Sequence, residues 1–465
     1  MELMIPAASW TLASLEAEGV LQVDQRGEGA QRILADITSF HFSFESALLF
    51  LSLLIILSIV LDKFGAKIGI PGSIFLFLAG LFFHVTGFSF EAFPIEKLHV
   101  VALSILLFFS GLSFDRALLR RNKVLMDSVF LAVFGTFLSM LLWLFYLRIG
   151  FGFFQASLGY LRGVESGLVW LISVCVVFSL AVQDWNSFVF VSKRIKGFRG
   201  VLASVFKVET AISASISVAF AEILVIAWSA LNPKYSTIEN TGLLASVFKG
   251  ILIGCVSGVV LGYLLSLVIR YLLTSKAQLI LASVAFTFIG YVISLYVVEQ
   301  GGYLCALIMG IVTSLSYRSS SGEGEIEFLS ETLESLNIAS EAILFFAIGL
   351  GLQPALFFAH LPIAVYAWIG ILLVRPITVA LFFRGKVVSR DERRVLASWS
   401  PKGAISMALI VTAPALLEET FGLKMAEILP VHSITFMTDV VCGAVIVSMV
   451  VKAILVPYLH RKIPV

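Results

Sequence analysis

The sequence predicts an all-α polytopic membrane protein with thirteen transmembrane helices, organised as a six-plus-six inverted repeat. Three observations carry this prediction. Hydrophobic residues make up 59% of the 465 residues and charged residues only 13%, with a mean hydropathy of +1.01, whereas soluble domains carry about 25% charged residues. Basic residues concentrate in alternate connections between apolar segments. Helix breakers and ionisable residues interrupt two of those segments, which we expect to be broken helices.

Thirteen apolar segments can be membrane spans, since a span needs about 20 mostly apolar residues. They cover residues 44–62, 70–88, 97–113, 124–148, 165–191, 200–228, 244–271, 277–298, 302–317, 337–356, 361–384, 393–417 and 429–457. We expect residues 1–43 to be an extramembrane N-terminal lead-in and 44–457 to form one transmembrane domain. Residues 458–465 would be a short cytoplasmic tail.

The distribution of positive charge predicts the orientation. With thirteen spans and the N-terminus outside, all six basic connections fall on the side that the positive-inside rule assigns to the cytoplasm. The acidic connection 318–336 also falls inside, where acidic residues contribute little to orientation. We expect a multi-pass protein of a bacterial inner membrane with a cytoplasmic C-terminus. The basic connections are 62–67, 115–123, 193–199, 270–276, 384–394 and 460–462.

Thirteen spans divide into six, one and six, and the single linker span makes the second set run opposite to the first. The two interrupted segments then occupy equivalent places, as the fifth span of each half. Span 5 contains Asp184 and Asn186, and span 12 begins with Pro401, Lys402 and Gly403. Proline and glycine break helices, and unwound backbone at membrane depth is tolerated only around a cavity or a protein contact. These two places therefore predict a transport site.

Other ionisable residues lie within the predicted spans, where each costs about 2.5–3.5 kcal/mol on insertion scales and so indicates a function or a buried pair. Glu209 in span 6 either pairs with Arg375 in span 11 or binds the transported ion. Lys207 is about 200° around the helix from Glu209, so we expect it to reach the cytoplasmic surface. Ser213 lies one turn beyond Glu209 and either lines the cavity or bonds its own backbone.

Asp184 and Lys402 each have two possible roles, and Glu341 and Asp439 are expected to have structural ones. Asp184 is either a substrate-facing carboxylate at the broken helix or a helix-end residue beside the basic loop. Lys402 either neutralises the carbonyl ends of the broken helix or pairs with Asp184. We expect Glu341 to open span 10 as a partner of the helix dipole. Asp439 should be a structural hydrogen-bonding residue in a peripheral span 13.

Five segments carry a family resemblance: IGIPGSIFLFLAGLFF (68–83), LLFFSGLSFD (106–115), ILFFAIGLGL (343–352), LLVRPITV (372–379) and SWSPKGAISMALI (398–410). Together they resemble the cation–proton antiporter superfamily, in particular its thirteen-span sodium/proton exchanger branch. The resemblance extends over about residues 50–455. It implies that the broken spans 5 and 12 cross, that Lys402 stands where arginine is usual, and that Arg375 pairs with a glutamate of span 6.

Span 6 departs from the family pattern. The exchangers typically carry Thr-Asp-Pro in span 5 and Glu-Ser-x-x-Asn-Asp in span 6, and the last aspartate binds the ion. Here Asp184 is kept, but Ser213 and Ala214 replace the Asn-Asp pair if Glu209 is the motif's glutamate. A second register follows the potassium-efflux branch, in which Val208 and Glu209 replace a Gln-Asp pair and Glu209 becomes the ion ligand.

The resemblance and the buried charges imply secondary active transport, an antiport of a monovalent cation (sodium or potassium) against protons by alternating access. The alternative is a derived antiporter-fold protein that lacks ordinary exchange, either a sensor or accessory subunit or a carrier of another ion such as an anion. We expect no enzyme activity, cofactor, resident metal or nucleic-acid partner. The expected partners are monovalent cations, protons and the bilayer, and a homodimer is an open option. The expected ion-binding residues are Asp184, Glu209, Ser213 and Asn186, with Arg375, Lys402 and Lys207 compensating charge.

Overall fold

The computed structural model describes residues 44–86, 95–114, 122–158, 164–192, 201–231, 240–272, 275–295, 301–320, 323–382, 390–421 and 431–460, which contain helices and no β-strand. The predicted lead-in 1–43 and residues 461–465 of the predicted tail lie outside the described residues. A π-helical segment covers Leu131–Gly135. The helices are α1 (Phe44–Ile68), α2 (Gly72–Val85), α3 (Ile95–Leu112), α4 (Asn122–Phe130), α5 (Thr136–Leu158), α6 (Ser166–Ala181), α7 (Trp185–Ser192), α8 (Val201–Leu231), α9 (Asn240–Leu272), α10 (Lys276–Leu295), α11 (Gly301–Ser320), α12 (Glu323–Gly351), α13 (Pro354–Phe382), α14 (Arg390–Ser398), α15 (Ala404–Phe421) and α16 (Val431–His460).

The all-α class is confirmed, and each predicted span falls on one helix or on a broken pair. Span 5 is split into α6 and α7, and span 12 into α14 and α15. Among the described residues, five helices can each cross a membrane by length and composition, and α8 makes a sixth if its two segments form one bent span. Other apolar helices are shorter, at 10–17 residues. The count of thirteen spans therefore stays a prediction.

One predicted connection is helical. The acidic segment 318–336 was expected to be a loop, but α11 extends to Ser320 and α12 begins at Glu323. Glutamate and leucine favour helices, and acidic residues are stabilising in a first helical turn, so this segment extends α12 towards its N-terminus. Glu341 consequently lies 18 residues inside α12, and its expected role at a helix start is wrong.

The backbones of α2 and α12 approach closely through glycine. A Cβ atom on Gly80 would collide with the carbonyl oxygen of Phe346, and one on Gly349 would collide with that of Phe77. Small residues allow this approach, which is a common way for membrane helices to pack without a hydrophobic driving force. The contact fixes α12, and with it Glu341, against the first half of the chain.

A second glycine contact, between α3 and α11, repeats the first. A Cβ atom on Gly111 would collide with the carbonyl oxygen of Leu307, and one on Gly310 would collide with that of Phe108. A six-plus-six repeat makes span 2 equivalent to span 9 and span 3 equivalent to span 10. The repeat therefore relates the contact between spans 2 and 10 (α2 and α12) to a contact between spans 9 and 3 (α11 and α3). The two pairs agree with the predicted inverted repeat.

Helix α16 was expected to be peripheral, and this expectation is wrong. It packs against α6, α7, α13 and α15, and its middle part is buried from Val440 to Val445. Helices α9 and α10 instead expose large apolar side chains such as Leu252 and Leu281. Hydropathy alone does not separate the two cases, because a helix that is apolar all round suits either a protein core or lipid.

The glycine contact yields a matched pair of substitutions in α12. We expect Gly349→Ala to lower the free energy of unfolding by about 1–3 kcal/mol, because the added methyl group overlaps backbone of α2. Gly351→Ala adds the same methyl group at a position with no heavy atom within 4 Å and should be close to neutral. Thermal melting of the two purified variants in detergent distinguishes them. Equal melting temperatures would show that the close approach is not a constraint.

Candidate functional site

The two predicted helix breaks are both present. Helix α6 ends at Ala181, the chain is extended at Val182, and α7 begins at Trp185. Helix α14 ends at Ser398 and α15 begins at Ala404. Pro401 lies in the second break and cannot donate a backbone hydrogen bond, which explains why the helix stops there.

The two breaks contact one another directly. The backbone N–H of Asp184 donates to the carbonyl of Pro401 at 3.0 Å, and the hydroxyl of Ser187 donates to the carbonyl of Lys402 at 2.8 Å. The hydroxyl of Ser400 donates to Oε1 of Gln183 at 2.9 Å. Extended backbone from each half therefore finds its partners in the other half, as burial away from water requires. We call this region, residues 181–187 and 399–404, the crossing.

Asp184 lies between the amino-terminal ends of two half-helices and is 2% exposed. Its Oδ1 accepts from the N–H groups of Asn186 at 2.8 Å and Ser187 at 3.3 Å, which caps α7. Its Oδ2 faces the start of α15, where a Cβ atom on Gly403 would collide with it. Both helix starts carry positive partial charge, so the site favours an anionic group at this position.

Two lysines neutralise the opposite, carbonyl ends. Nζ of Lys402 donates to the carbonyls of Ala181 at 3.3 Å and Val182 at 2.8 Å, at the end of α6 and not to Asp184. Nζ of Lys452, from α16, donates to the carbonyl of Ser400 beyond the end of α14. Both lysines are buried. Lys402 therefore contacts the carbonyl end of the broken helix, which was the first of its two predicted roles. Lys452 was missed because α16 was expected to be peripheral.

Glu209 and Arg375 form the predicted buried ion pair between α8 and α13. Nη1 of Arg375 donates to Oε1 of Glu209, and Nη2 donates to Oε2 at 2.7 Å. The two residues are 2% and 6% exposed. Nε of Arg375 also donates to the carbonyl of Leu396 in α14 at 3.2 Å. Lys207, in contrast, is only partly buried.

Ser213 contacts the crossing from α8. Its hydroxyl accepts from the backbone N–H of Gln183 at 3.2 Å, so it supports the broken helix and does not only bond its own backbone. One turn later, Ser217 donates to the carbonyl of Phe178 at 2.5 Å. Ala214, at the position of the family's aspartate in the first register, is buried and brings no oxygen ligand in its side chain.

Asn186 connects the crossing to α12. Its Nδ2 donates to Oε2 of Glu341 at 2.9 Å, and its Oδ1 accepts from Nδ2 of Asn337 at 2.6 Å. The sequence analysis included Asn186 and named Glu341 only as a residue at a helix start, and it missed Asn337. The sequence signal that could have identified this contact is a carboxylate, Glu341, and an amide, Asn337, one turn apart inside an apolar helix.

Asp439 has a structural partner, as predicted. It is 1% exposed, and Oδ2 lies 2.7 Å from Nδ1 of His360 in α13. In the described part of the chain, no group of three or more histidine, cysteine or acidic residues could hold a metal ion.

Comparison with known proteins identifies the family. The sodium/hydrogen exchanger transmembrane family model matches residues 49–462. The chain belongs to this family. The fold is similar to that of the sodium proton antiporter MjNhaP1 from Methanocaldococcus jannaschii in two structures. One, at pH 8, has a TM-score of 0.67 and 15% identity, with 89% of this chain and 100% of that chain covered. The other, a 3D EM map, has a TM-score of 0.67 and 17% identity, with 91% and 98% covered. A search of curated proteins gave no match.

Membership of the sodium/hydrogen exchanger family makes this chain an integral multi-pass transporter of the cation/proton antiport class and not an enzyme. The family resemblance drawn from the five sequence segments is confirmed. The likeness to MjNhaP1 shows the fold alone, so the roles of individual residues rest on the geometry of the crossing.

The ion pair generates a stability prediction. Arg375→Ala or Glu209→Ala alone should lower the free energy of unfolding by about 3–5 kcal/mol, because the remaining charge stays buried without its partner. The double variant Glu209→Leu with Arg375→Met should cost much less than the two single losses added together, since neither charge remains. Melting temperatures in detergent measure all three. Additive losses would contradict a tight pair.

Proposed function

We propose that this chain exchanges a monovalent cation, sodium or potassium, for protons by alternating access, and that Asp184 is the acid for which the two compete. Burial disfavours the charged form of a carboxylate, so a buried acid is neutralised either by a proton or by a nearby cation. Competition for one acid, together with movement of the crossing relative to the surrounding helices, is sufficient for exchange. The proposal depends on how differently the two buried carboxylates near the crossing are paired.

Glu209 is already neutralised. Both of its oxygens accept from the guanidinium of Arg375, an arrangement that is specific in geometry and stronger than a neutral hydrogen bond. Asp184, in contrast, contacts backbone N–H groups, and within the described residues no basic side chain forms an ion pair with it. This difference supports the register in which Glu209 is the structural glutamate of the family motif. It leaves Asp184 as the exchangeable acid.

Asn186 and Ser213 have secondary roles in this proposal. The backbone N–H of Asn186 donates to Asp184, and its side chain offers an amide oxygen to a cation. The hydroxyl of Ser213 supports the chain at Gln183, immediately before Asp184, and so positions the acid. Lys402 compensates the end of α6, and Lys207 stays proposed as a surface-directed cation.

A derived protein without ordinary exchange, or an anion carrier, is the second candidate. Ala214 favours it, because the family's usual acid is missing from this position in the proposed register. The buried cations argue against an anion site, since Lys402 and Lys452 donate to carbonyls and Arg375 donates to Glu209. Proton flux driven by chloride, or no ion-driven flux at all, would favour this candidate.

We also propose a bacterial inner membrane location, with the N-terminus outside and the C-terminus in the cytoplasm. The six basic connections on one side of the predicted topology support this orientation. A homodimer stays a proposal as well.

The test is proton flux in proteoliposomes under imposed sodium, potassium and chloride gradients. We expect flux with one or both cations in the wild type and its loss in Asp184→Asn. Asparagine keeps the side-chain oxygen that caps α7 and is itself a good N-cap, so the fold should be retained. Asp184→Ala also removes the cap and should cost a further ~0.5–2 kcal/mol of stability.

Asp439→Asn is the matched control, because it removes a buried carboxylate whose partner is His360. Asp439 is 13 residues from Lys452 on α16, about 20 Å along the helix. This control should transport like the wild type. Cation-driven flux that survives in Asp184→Asn would overturn the assignment of the exchanged acid.

A further inference from the structure

The crossing does not provide enough oxygen ligands for a cation by itself. Monovalent and other hard cations are bound by several oxygen atoms. The carbonyls of Ala181, Val182 and Ser400 already accept hydrogen bonds from lysine side chains, so they are not free to surround a cation. Ala214 supplies no side-chain oxygen. The remaining ligands have to come from the other side of Asp184.

Side-chain oxygens on that other side come from α7 and α12. Asn186 follows Asp184 by two residues, and its backbone N–H donates to the Asp184 carboxylate. The amide group of Asn186 lies between Glu341 and Asn337, at 2.9 Å and 2.6 Å. Asp184 and Glu341 are close enough for their charges to interact. Two carboxylates from opposite halves of the repeat are therefore joined through one asparagine.

This group has a surplus of acceptors. Oδ1 of Asn337 is a buried atom without a hydrogen-bond donor among the described residues, while Oδ2 of Asp184 faces the backbone at the start of α15. Asn337 is 3% and Asp184 2% exposed. Buried polar atoms are usually paired, so an acceptor with no protein donor is a place where an ion or a water can bind. Exchanging the oxygen and nitrogen of the Asn337 amide would not help, because Asn186 Oδ1 would then lose its donor.

Burial changes along the group in a way that suits entry from one side. Glu341 and Asn186 are partly exposed, whereas Asn337 and Asp184 are buried. The glycine contact between Gly349 and Phe77 holds α12 in place two turns from Glu341. The second carboxylate is thus on a fixed helix, while Asp184 is on the broken one.

We propose that Glu341 is a second acidic ligand for the transported monovalent cation, and that the cation lies between Asp184 and Glu341 with amide oxygens of Asn186 and Asn337. The carboxylate supplied by α12 takes the place of the acid that Ala214 lacks in α8. This inference deepens the proposed function and rests on it for the identity of the transported ion. Its test therefore uses binding as well as transport.

The binding experiment measures melting temperature of the full-length protein in detergent against sodium or potassium chloride, with choline chloride holding the ionic strength constant. A cation that binds the folded state raises the melting temperature with its concentration. In Glu341→Gln the half-maximal concentration should rise at least about tenfold, as for the loss of a supporting ligand at a metal site. Glutamine retains an oxygen that can accept from Asn186, so the melting temperature without cation should be nearly unchanged.

Glu334→Gln is the matched control, because it makes the same change on the same helix seven residues earlier. It should give the wild-type titration. Glu341→Asp keeps a carboxylate on a shorter side chain and should fall between the wild type and Glu341→Gln.

The outcomes separate this inference from the proposed function. If the wild type shows no cation-driven proton flux but its cation titration depends on Glu341, the site stands and the exchange activity is wrong. If Glu341→Gln titrates and transports with wild-type half-saturation, the site is wrong and exchange stands. A wild-type melting temperature that responds to neither cation would also overturn the site.

Discussion

Four helix ends meet where α6 and α7 cross α14 and α15, and the backbone groups at these ends have to be neutralised away from bulk water. Asp184 faces both amino-terminal ends, while Lys402 and Lys452 donate to carbonyls at the two carboxyl-terminal ends. Hydrogen bonds across the two breaks satisfy part of the remaining backbone. An unpaired polar group in this position costs free energy comparable to a lost hydrogen bond. The backbone groups at the crossing therefore determine which charged side chains the neighbouring helices α8, α13 and α16 have to place there.

This distribution of charge is the basis for proposing Asp184, and not Glu209, as the exchangeable acid. Arg375 engages both oxygens of Glu209 and also reaches α14, so this pair connects the core helices and is not available to an ion. Asp184 balances helix dipoles, which are weaker and more diffuse than a guanidinium. A proton or a cation can therefore complete the neutralisation of Asp184. The usual aspartate is absent from α8, and the proposed replacement is Glu341 of α12, which approaches the crossing from the other half of the repeat.

Most of this arrangement could be predicted from helix-breaking and ionisable residues, because both are energetically unfavourable inside a membrane. Pro401 and Gly403 predicted one break, and the Glu209–Arg375 pair followed because each would be an isolated buried charge without the other. Lys452 and Glu341 could not be placed in this way. Their roles depend on which helices pack at the crossing, and hydropathy does not distinguish α9, which exposes large apolar side chains, from the buried α16. The start of α12 was also missed, since an acidic segment was taken for a loop although its residues favour a helix.

A proton and a cation are proposed to compete for the same acid, Asp184. The most direct measurement is the cation concentration that gives half-maximal proton flux in proteoliposomes, determined at a series of pH values. Competition predicts that this concentration rises as the pH falls, by up to about tenfold per pH unit, because each proton bound removes one cation site. The maximal rate at saturating cation should change much less. A half-saturating concentration that is the same at every pH would contradict the account.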